Sequence, residues 1–205
     1  MRKLLMTGFD AFGGESVNPA SRAVERLEGK TIGDIEIITR EIPTVFGDAA
    51  EATQKAIEEV EPDIVINVGQ AGGIHGIRME RLAVNIDDAR IKDNKGNQPE
   101  DEKIAPDGPL AYWATIPVKA IVRDLEANGI PAFVSYTAGT FVCNHVFYAT
   151  RHYAETQGLP LKVGFIHVPF LPEQVVDKKP YQVPSMSEDT IARALEVAVG
   201  TIAES

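Results

Sequence analysis

Short β-rich runs alternate with longer helical ones along most of this chain, and that alternation constrains the fold more than any other feature. The runs at 3–7, 36–42, 64–68, 132–135 and 162–168 are rich in Ile, Val, Leu and Phe and too short for buried helices. Between them, 19–27, 49–60, 117–127, 144–156 and 187–203 carry helical periodicity and begin near Pro, Asp, Asn or Ser. Strand and helix in alternation predict an α/β fold: a three-layer α/β/α sandwich around a largely parallel mixed sheet. In such sheets reactive groups gather beyond the carboxyl ends of the strands. The segment 90–109 departs from the pattern, being polar and rich in Asn, Asp, Gly and Pro, and reads as a long surface loop, a lid or a subunit contact. No repeat or linker divides the 205 residues, which predicts a single catalytic domain over 1–205.

Charge and cysteine content narrow the function. A formal net charge of -10 opposes a phosphate backbone, and no Lys/Arg cluster offsets it, so nucleic acid is excluded as a partner. No apolar run approaches the roughly 20 residues of a membrane span, and the apolar start breaks at Thr7-Gly8, short of a signal-peptide core. A lone cysteine cannot close an internal disulfide, and with no export signal this points to a reducing cytoplasm. Its thiol serves either packing or chemistry.

Cys143 stands where the strand at 132–135 gives way through Thr137-Ala138-Gly139-Thr140 to a helix. At a helix N-terminus, unpaired N–H groups stabilise a thiolate and can also cradle an oxyanion. A buried inert thiol is the competing reading, since free cysteine packs as a small hydrophobe. His167 closes the strand at 162–168 just before Val168-Pro169, on the face shared by Val163 and Phe165. It is either a core histidine bonded to a carbonyl or a catalytic base. Glu80, by alternation through Leu82, Val84 and Ile86, points into apolar packing, where a carboxylate needs a partner. That partner is Arg78 or Arg90 in a structural role, or His167 in a catalytic one.

Other constellations are weaker. His145 and His152 lie on the helix after the cysteine and read as surface or packing residues, and His75 as a solvated loop residue. No His-Glu-x-x-His, paired cysteines or calcium-loop spacing is present, so neither a metal nor a cofactor is expected. The glycine-rich stretches 8–14 and 69–76 match neither the dinucleotide fingerprint nor the phosphate loop and read as turns lining a pocket.

The words Thr7-Gly8-Phe9-Asp10-Ala11-Phe12-Gly13-Gly14, Glu80-Arg81-Leu82-Ala83-Val84-Asn85, Thr137-Ala138-Gly139-Thr140-Phe141-Val142-Cys143-Asn144 and His167-Val168-Pro169-Phe170-Leu171-Pro172-Glu173-Gln174 together resemble the pyroglutamyl peptidase I family. The resemblance implies a cysteine omega-peptidase that removes N-terminal pyroglutamyl residues from peptides through a thioester acyl-enzyme, without a cofactor, as a cytoplasmic homotetramer. Carried over by motif, Cys143 resembles the nucleophile, His167 the base, Glu80 the orienting acid and Arg90 an active-site arginine near the oxyanion. Phe9, Phe12, Gln70, Phe141 and Val142 resemble the substrate-binding set. Ile74, Arg78 and Tyr136 stand where the family's pattern has other residues. An amidase or deacylase acting on another lactam or N-acyl group, and a non-catalytic small-molecule binding protein, are the alternatives.

Overall fold

A computed structural model describes residues 1–179 and 182–205. Nine strands and six helices follow in the order β1 (Arg2–Phe9), α1 (Pro19–Glu25), β2 (Thr31–Ile32), β3 (Ile35–Ile42), α2 (Asp48–Val60), β4 (Ile64–Gln70), β5 (Ile77–Glu80), β6 (Leu82–Val84), β7 (Ala111–Trp113), α3 (Val118–Ala127), β8 (Ala132–Ser135), α4 (Val142–Thr156), β9 (Lys162–Val168), α5 (Pro172–Val175) and α6 (Glu188–Ala203). Seven strands form one sheet in the order β2-β3-β1-β4-β9-β5-β8. The central strands β3, β1, β4 and β9 run parallel, whereas β5 is antiparallel to β9 and parallel to β8. The expected mixed, largely parallel sheet is therefore the one formed.

Strand parity sorts the core into two layers. Leu4, Met6, Ile64, Ile66, Val68 and Ile166 pack with α1, α3 and α6 through Ala23, Ile121, Leu125, Ile191 and Leu195. Leu5, Phe9, Val65, Val163 and Phe165 pack on the opposite face with α2 and α4 through Ile57, Val60, Val146 and Phe147. The parallel strands are apolar on both sides because helices cover both sides. All seven residues of β4 are buried.

Local signals place the helices. Asn18 accepts the Ala20 N–H at 3.0 Å with Pro19 in the first turn of α1, and Ser187 accepts the Thr190 N–H at 3.2 Å to start α6. No helix among the described residues is long and apolar enough to cross a membrane.

The run 79–86 is not the single alternating strand that the sequence predicts. It breaks at Arg81, whose N–H donates to Ser135 in the main sheet at 2.8 Å while its carbonyl accepts from Ala114 at 3.0 Å. Its two backbone groups thus face different partners, and the chain leaves the main sheet after Glu80. Leu82–Val84 pairs with Ala111–Trp113 in a separate two-stranded sheet.

The segment 90–109 contains no helix or strand, and it is tied down at several points. Asp93, buried, accepts from the N–H groups of Phe46, Lys95 and Asn97 at 3.0, 2.9 and 2.8 Å. Burial works against its charge, but these bonds and one from the Asn97 side chain outweigh it and hold the carboxyl below its usual range. At the far end the Tyr148 hydroxyl donates to the Pro109 carbonyl at 2.7 Å. Burial, with Tyr112 adding to it, pushes that phenol up to about 12, so it remains a donor.

Candidate active site

His167 and Glu80 meet because β9 and β5 lie side by side. In β9, Val163 and Phe165 face α4, so two residues on His167 faces it as well. In β5, Ile77 and Met79 belong to the opposite layer, which turns Glu80 toward α4. The antiparallel register sets Arg78 opposite His167 and Glu80 opposite Phe165, leaving Glu80 diagonal to the histidine. Its Oε1 lies 2.8 Å from His167 Nδ1, with Glu80 wholly buried and His167 5% exposed. An ionised carboxylate only accepts, so Nδ1 carries the hydrogen and Nε2 is the nitrogen left for other work. Glu80 is buried as expected, although its neighbours lie across β9 and not along one continuous strand.

Cys143 arrives from α4. It is the second residue of that helix, whose first internal bond runs from the His145 N–H to the Phe141 carbonyl at 3.1 Å. The N–H groups of Val142, Cys143 and Asn144 precede that bond. No side chain caps this helix. The sulfur sits against the backbone of Gly69, the residue paired with His167 across β4 and β9. A Cβ on Gly69 would stand 2.9 Å from Cys143 Sγ and 2.9 Å from the Phe165 ring, so glycine alone permits the approach.

Charge completes the geometry. Burial by itself would lower the His167 pKa, but the Cys143 charge and hydrogen bond, followed by those of Glu80, raise it to about 9. The raised pKa favours the imidazolium, which Glu80 holds through Nδ1.

Asn144, fully buried beside the cysteine, fixes α4 to the neighbouring strand. It accepts the Val84 N–H at 2.9 Å and donates to the carbonyls of Val84 and Ile86 at 2.9 and 3.0 Å. Just upstream, Thr140 and Asp88 clasp each other: the Asp88 N–H donates to the Thr140 carbonyl at 3.0 Å, and the Thr140 hydroxyl to the Asp88 carbonyl at 2.7 Å. His145, read as surface or packing, is mostly enclosed: its Nδ1 lies 2.7 Å from Asp87 Oδ2, and its ring meets Phe46 edge-on at 5.7 Å. The only sequence signal for Asn144 was a poor helix former in the first turn beside the cysteine.

A cavity of about 620 Å³ opens beside this cluster, lined by Phe12, Gln70, Arg90, Thr140, Phe141 and Phe170 among others. Four of the residues expected around the reacting group, Phe12, Gln70, Phe141 and Arg90, therefore converge. Phe12 and Phe141 have ring centroids 6.1 Å apart. Arg90 is exposed and enters no ion pair among the described residues. Phe9 and Val142, expected to line the pocket, do not. Phe9 is 1% exposed and packs on Phe165 at 6.4 Å, because strand parity turns it into the α2/α4 layer, and Val142 is fully enclosed. Ile74 is buried, Arg78 lies over the Phe133 ring at 5.8 Å, and Tyr136 is exposed. The described residues hold no group of three or more His, Cys, Asp or Glu placed to bind a metal.

An α/β sandwich that delivers a cysteine at a helix start to a buried histidine and carboxylate is the framework of a peptidase, and that class is the one to which this chain belongs. More narrowly, it is a member of the pyroglutamyl peptidase family, whose model matches residues 2–205. It is 54% identical over 199 residues to a pyrrolidone-carboxylate peptidase of Bacillus cereus, covering 97% of this chain and 92% of that protein. Pyroglutamyl peptidase I of Bacillus amyloliquefaciens superposes with a TM-score of 0.96 at 47% identity, covering 100% of this chain and 98% of that one. A mutant pyrrolidone carboxyl peptidase from the hyperthermophile Pyrococcus furiosus gives the same TM-score, 0.96, at 47% identity with 98% of each chain covered.

Proposed function

We propose that this chain removes N-terminal pyroglutamyl residues from peptides by transferring the acyl group to Cys143. The observation that carries the reading is the buried Glu80–His167 pair, with Cys143 at a helix start packed against Gly69, the residue paired with His167. The Cys143 thiolate attacks the pyroglutamyl carbonyl carbon, and the electron pair moves onto the oxygen. The N–H of Cys143 and the Arg90 guanidinium hold that oxyanion. As the tetrahedral centre collapses the C–N bond breaks, and His167 gives its Nε2 proton to the departing amine. The neutral imidazole then takes a proton from water as its oxygen attacks the thioester, releasing pyroglutamate and restoring the ion pair. Glu80 keeps the ring in one orientation and one tautomer throughout.

The cavity suits the acyl group. A five-membered lactam has apolar faces for Phe12 and Phe141 and polar edges for Gln70 and backbone groups. Nothing in the chemistry calls for a cofactor. The homotetrameric assembly and cytoplasmic setting implied by the family resemblance belong to the same proposal.

The test is release of a chromogenic amine from pyroglutamyl, prolyl and acetyl amides by the parent and by Cys143→Ala. Release from the pyroglutamyl amide only, reduced by about 10³-fold or more in the variant, is the expected result. Parent-like turnover by Cys143→Ala would exclude the mechanism, and equal turnover of the acetyl amide would favour a general deacylase.

A further inference from the structure

The cavity has a hydrogen-bonding polarity, and its origin lies outside the residues that line it. Gln174, buried in the short helix Pro172–Val175, sits behind Gln70. Its Oε1 accepts the Leu171 N–H at 2.9 Å. Its Nε2 lies 2.9 Å from Gln70 Oε1, 3.2 Å from Glu15 Oε2 and 3.3 Å from the Val17 carbonyl.

A glutamine carboxamide can be turned end for end without changing shape, so its orientation must be set by groups whose own roles are fixed. Here three are: a backbone N–H donates only, whereas a backbone carbonyl and an ionised carboxylate accept only. Leu171 therefore takes the oxygen of Gln174 and turns its NH2 toward Val17, Glu15 and Gln70; of its two hydrogens, one serves the shortest contact, Gln70 at 2.9 Å, and the other is shared between Glu15 and Val17. With an NH2 facing it, Gln70 must present its own oxygen to Gln174. The Gln70 NH2, which has no partner among the described residues, is left for the cavity that Gln70 lines.

We infer that Gln174 is a specificity-determining positioning residue: it relays backbone polarity through Gln70 so that the cavity offers a hydrogen-bond donor to the lactam carbonyl. This rests on the pyroglutamyl reading and deepens it. A pyrrolidine ring without the carbonyl leaves that donor unmet, and a free ammonium group meets a donor instead of an acceptor. A site built around a hydrogen bond rejects analogues that cannot make it, because its own group is stranded on binding. Glu15 is itself held by Lys178 at 2.5 Å, so the relay also ties the residues just after the 8–14 turn to Pro172–Val175 and the residues that follow it.

Gln174→Glu tests the relay. A carboxylate still accepts from Leu171 but cannot donate, so Gln70 turns its NH2 backward and its oxygen into the cavity. The expected result is a KM for a pyroglutamyl amide raised about tenfold or more, with kcat within about threefold of the parent. Alkylation of Cys143 by iodoacetamide should keep its parent rate, since the trio is not touched. In a Gln70→Ala background the same substitution should add little, because the group it acts through is gone. The charge-conserving pair Glu15→Gln/Gln174→Glu gives the same readout if the single variant folds poorly. A parent-like KM, or a loss that adds in full to that of Gln70→Ala, overturns the relay while leaving the pyroglutamyl reading intact. A parent protein that alkylates rapidly yet releases no amine from the pyroglutamyl substrate overturns that reading, and the relay with it.

Discussion

The proton on His167 is assigned by its carboxylate partner. Nδ1–H is committed to Glu80 at 2.8 Å, so the transferable proton is the one on Nε2. Burial opposes the charge, the sulfur and carboxylate more than compensate, and the pKa settles at about 9. A raised pKa keeps the imidazolium present below about 9, and the acid needed by the leaving amine disappears as pH rises through that value. A kcat/KM profile for amide hydrolysis should therefore fall on its alkaline side near pH 9. Glu80→Gln keeps the acceptor and removes the charge, so the alkaline limb should move to lower pH and kcat/KM at neutral pH should drop about 10²-fold. A limb that stays in place in the variant would show that the carboxylate does not tune the histidine.

At the scale of elements, the central sheet was legible because strand and helix periods differ so plainly, and five helices start within two residues of their expected positions. The short strands were not. Thr31–Ile32, Ile77–Glu80, Leu82–Val84 and Ala111–Trp113 have two to four residues each, too few for a period to register. The break at Arg81 is a matter of which partners its N–H and carbonyl find, and spacing carries no record of that. Cys143, His167 and Glu80 were legible as residues with costs to explain, whereas Asn144 acts through backbone groups, and Gln174 chiefly through the side chains of Gln70 and Glu15, distant in sequence. The meeting of α4 with β4 and β9 depends on Gly69, where the missing side chain is the space the sulfur occupies. Gly69→Ala forces Sγ away from a contact of 2.9 Å. Relief to an ordinary contact needs a shift of about 1 Å, and a misplacement of that size is worth about 10²-fold in rate, so kcat/KM should fall about that much. The buried Phe165 ring must yield as well as Sγ, so the substitution should also cost about 1–3 kcal/mol by overpacking, roughly 3–10 °C in melting temperature at this chain length. Parent-like activity in Gly69→Ala would mean that the sulfur is not held where its packing indicates.

Across the whole molecule, the two faces of the sheet carry different work. The α2/α4 face holds the trio and the packing beneath it, with Phe165 in contact with Phe9, Phe147 and His167. The α1/α3/α6 face is aliphatic and contains none of the three catalytic candidates. Gly164 probes that division, because it lies in the same strand as His167 but points to the other side. An added Cβ would stand 2.1 Å from Ile116 Cδ1 and 2.7 Å from Cγ1, contacts that require the isoleucine to move within a close-packed layer. Gly164→Ala should cost about 1–3 kcal/mol by overpacking. For a chain of this length that lowers the melting temperature by roughly 3–10 °C. Activity measured well below the transition should stay within about twofold of the parent, since the site is reached only through the sheet. Ile116→Val removes the atom that collides first, and in combination it should restore part of the lost stability, a coupling that independent sites would not show. The contrast in activity with Gly69→Ala is the discriminating measurement: a loss of activity in Gly164→Ala as large as that in Gly69→Ala would mean that strain crosses the sheet, and that catalysis is not confined to one of its faces.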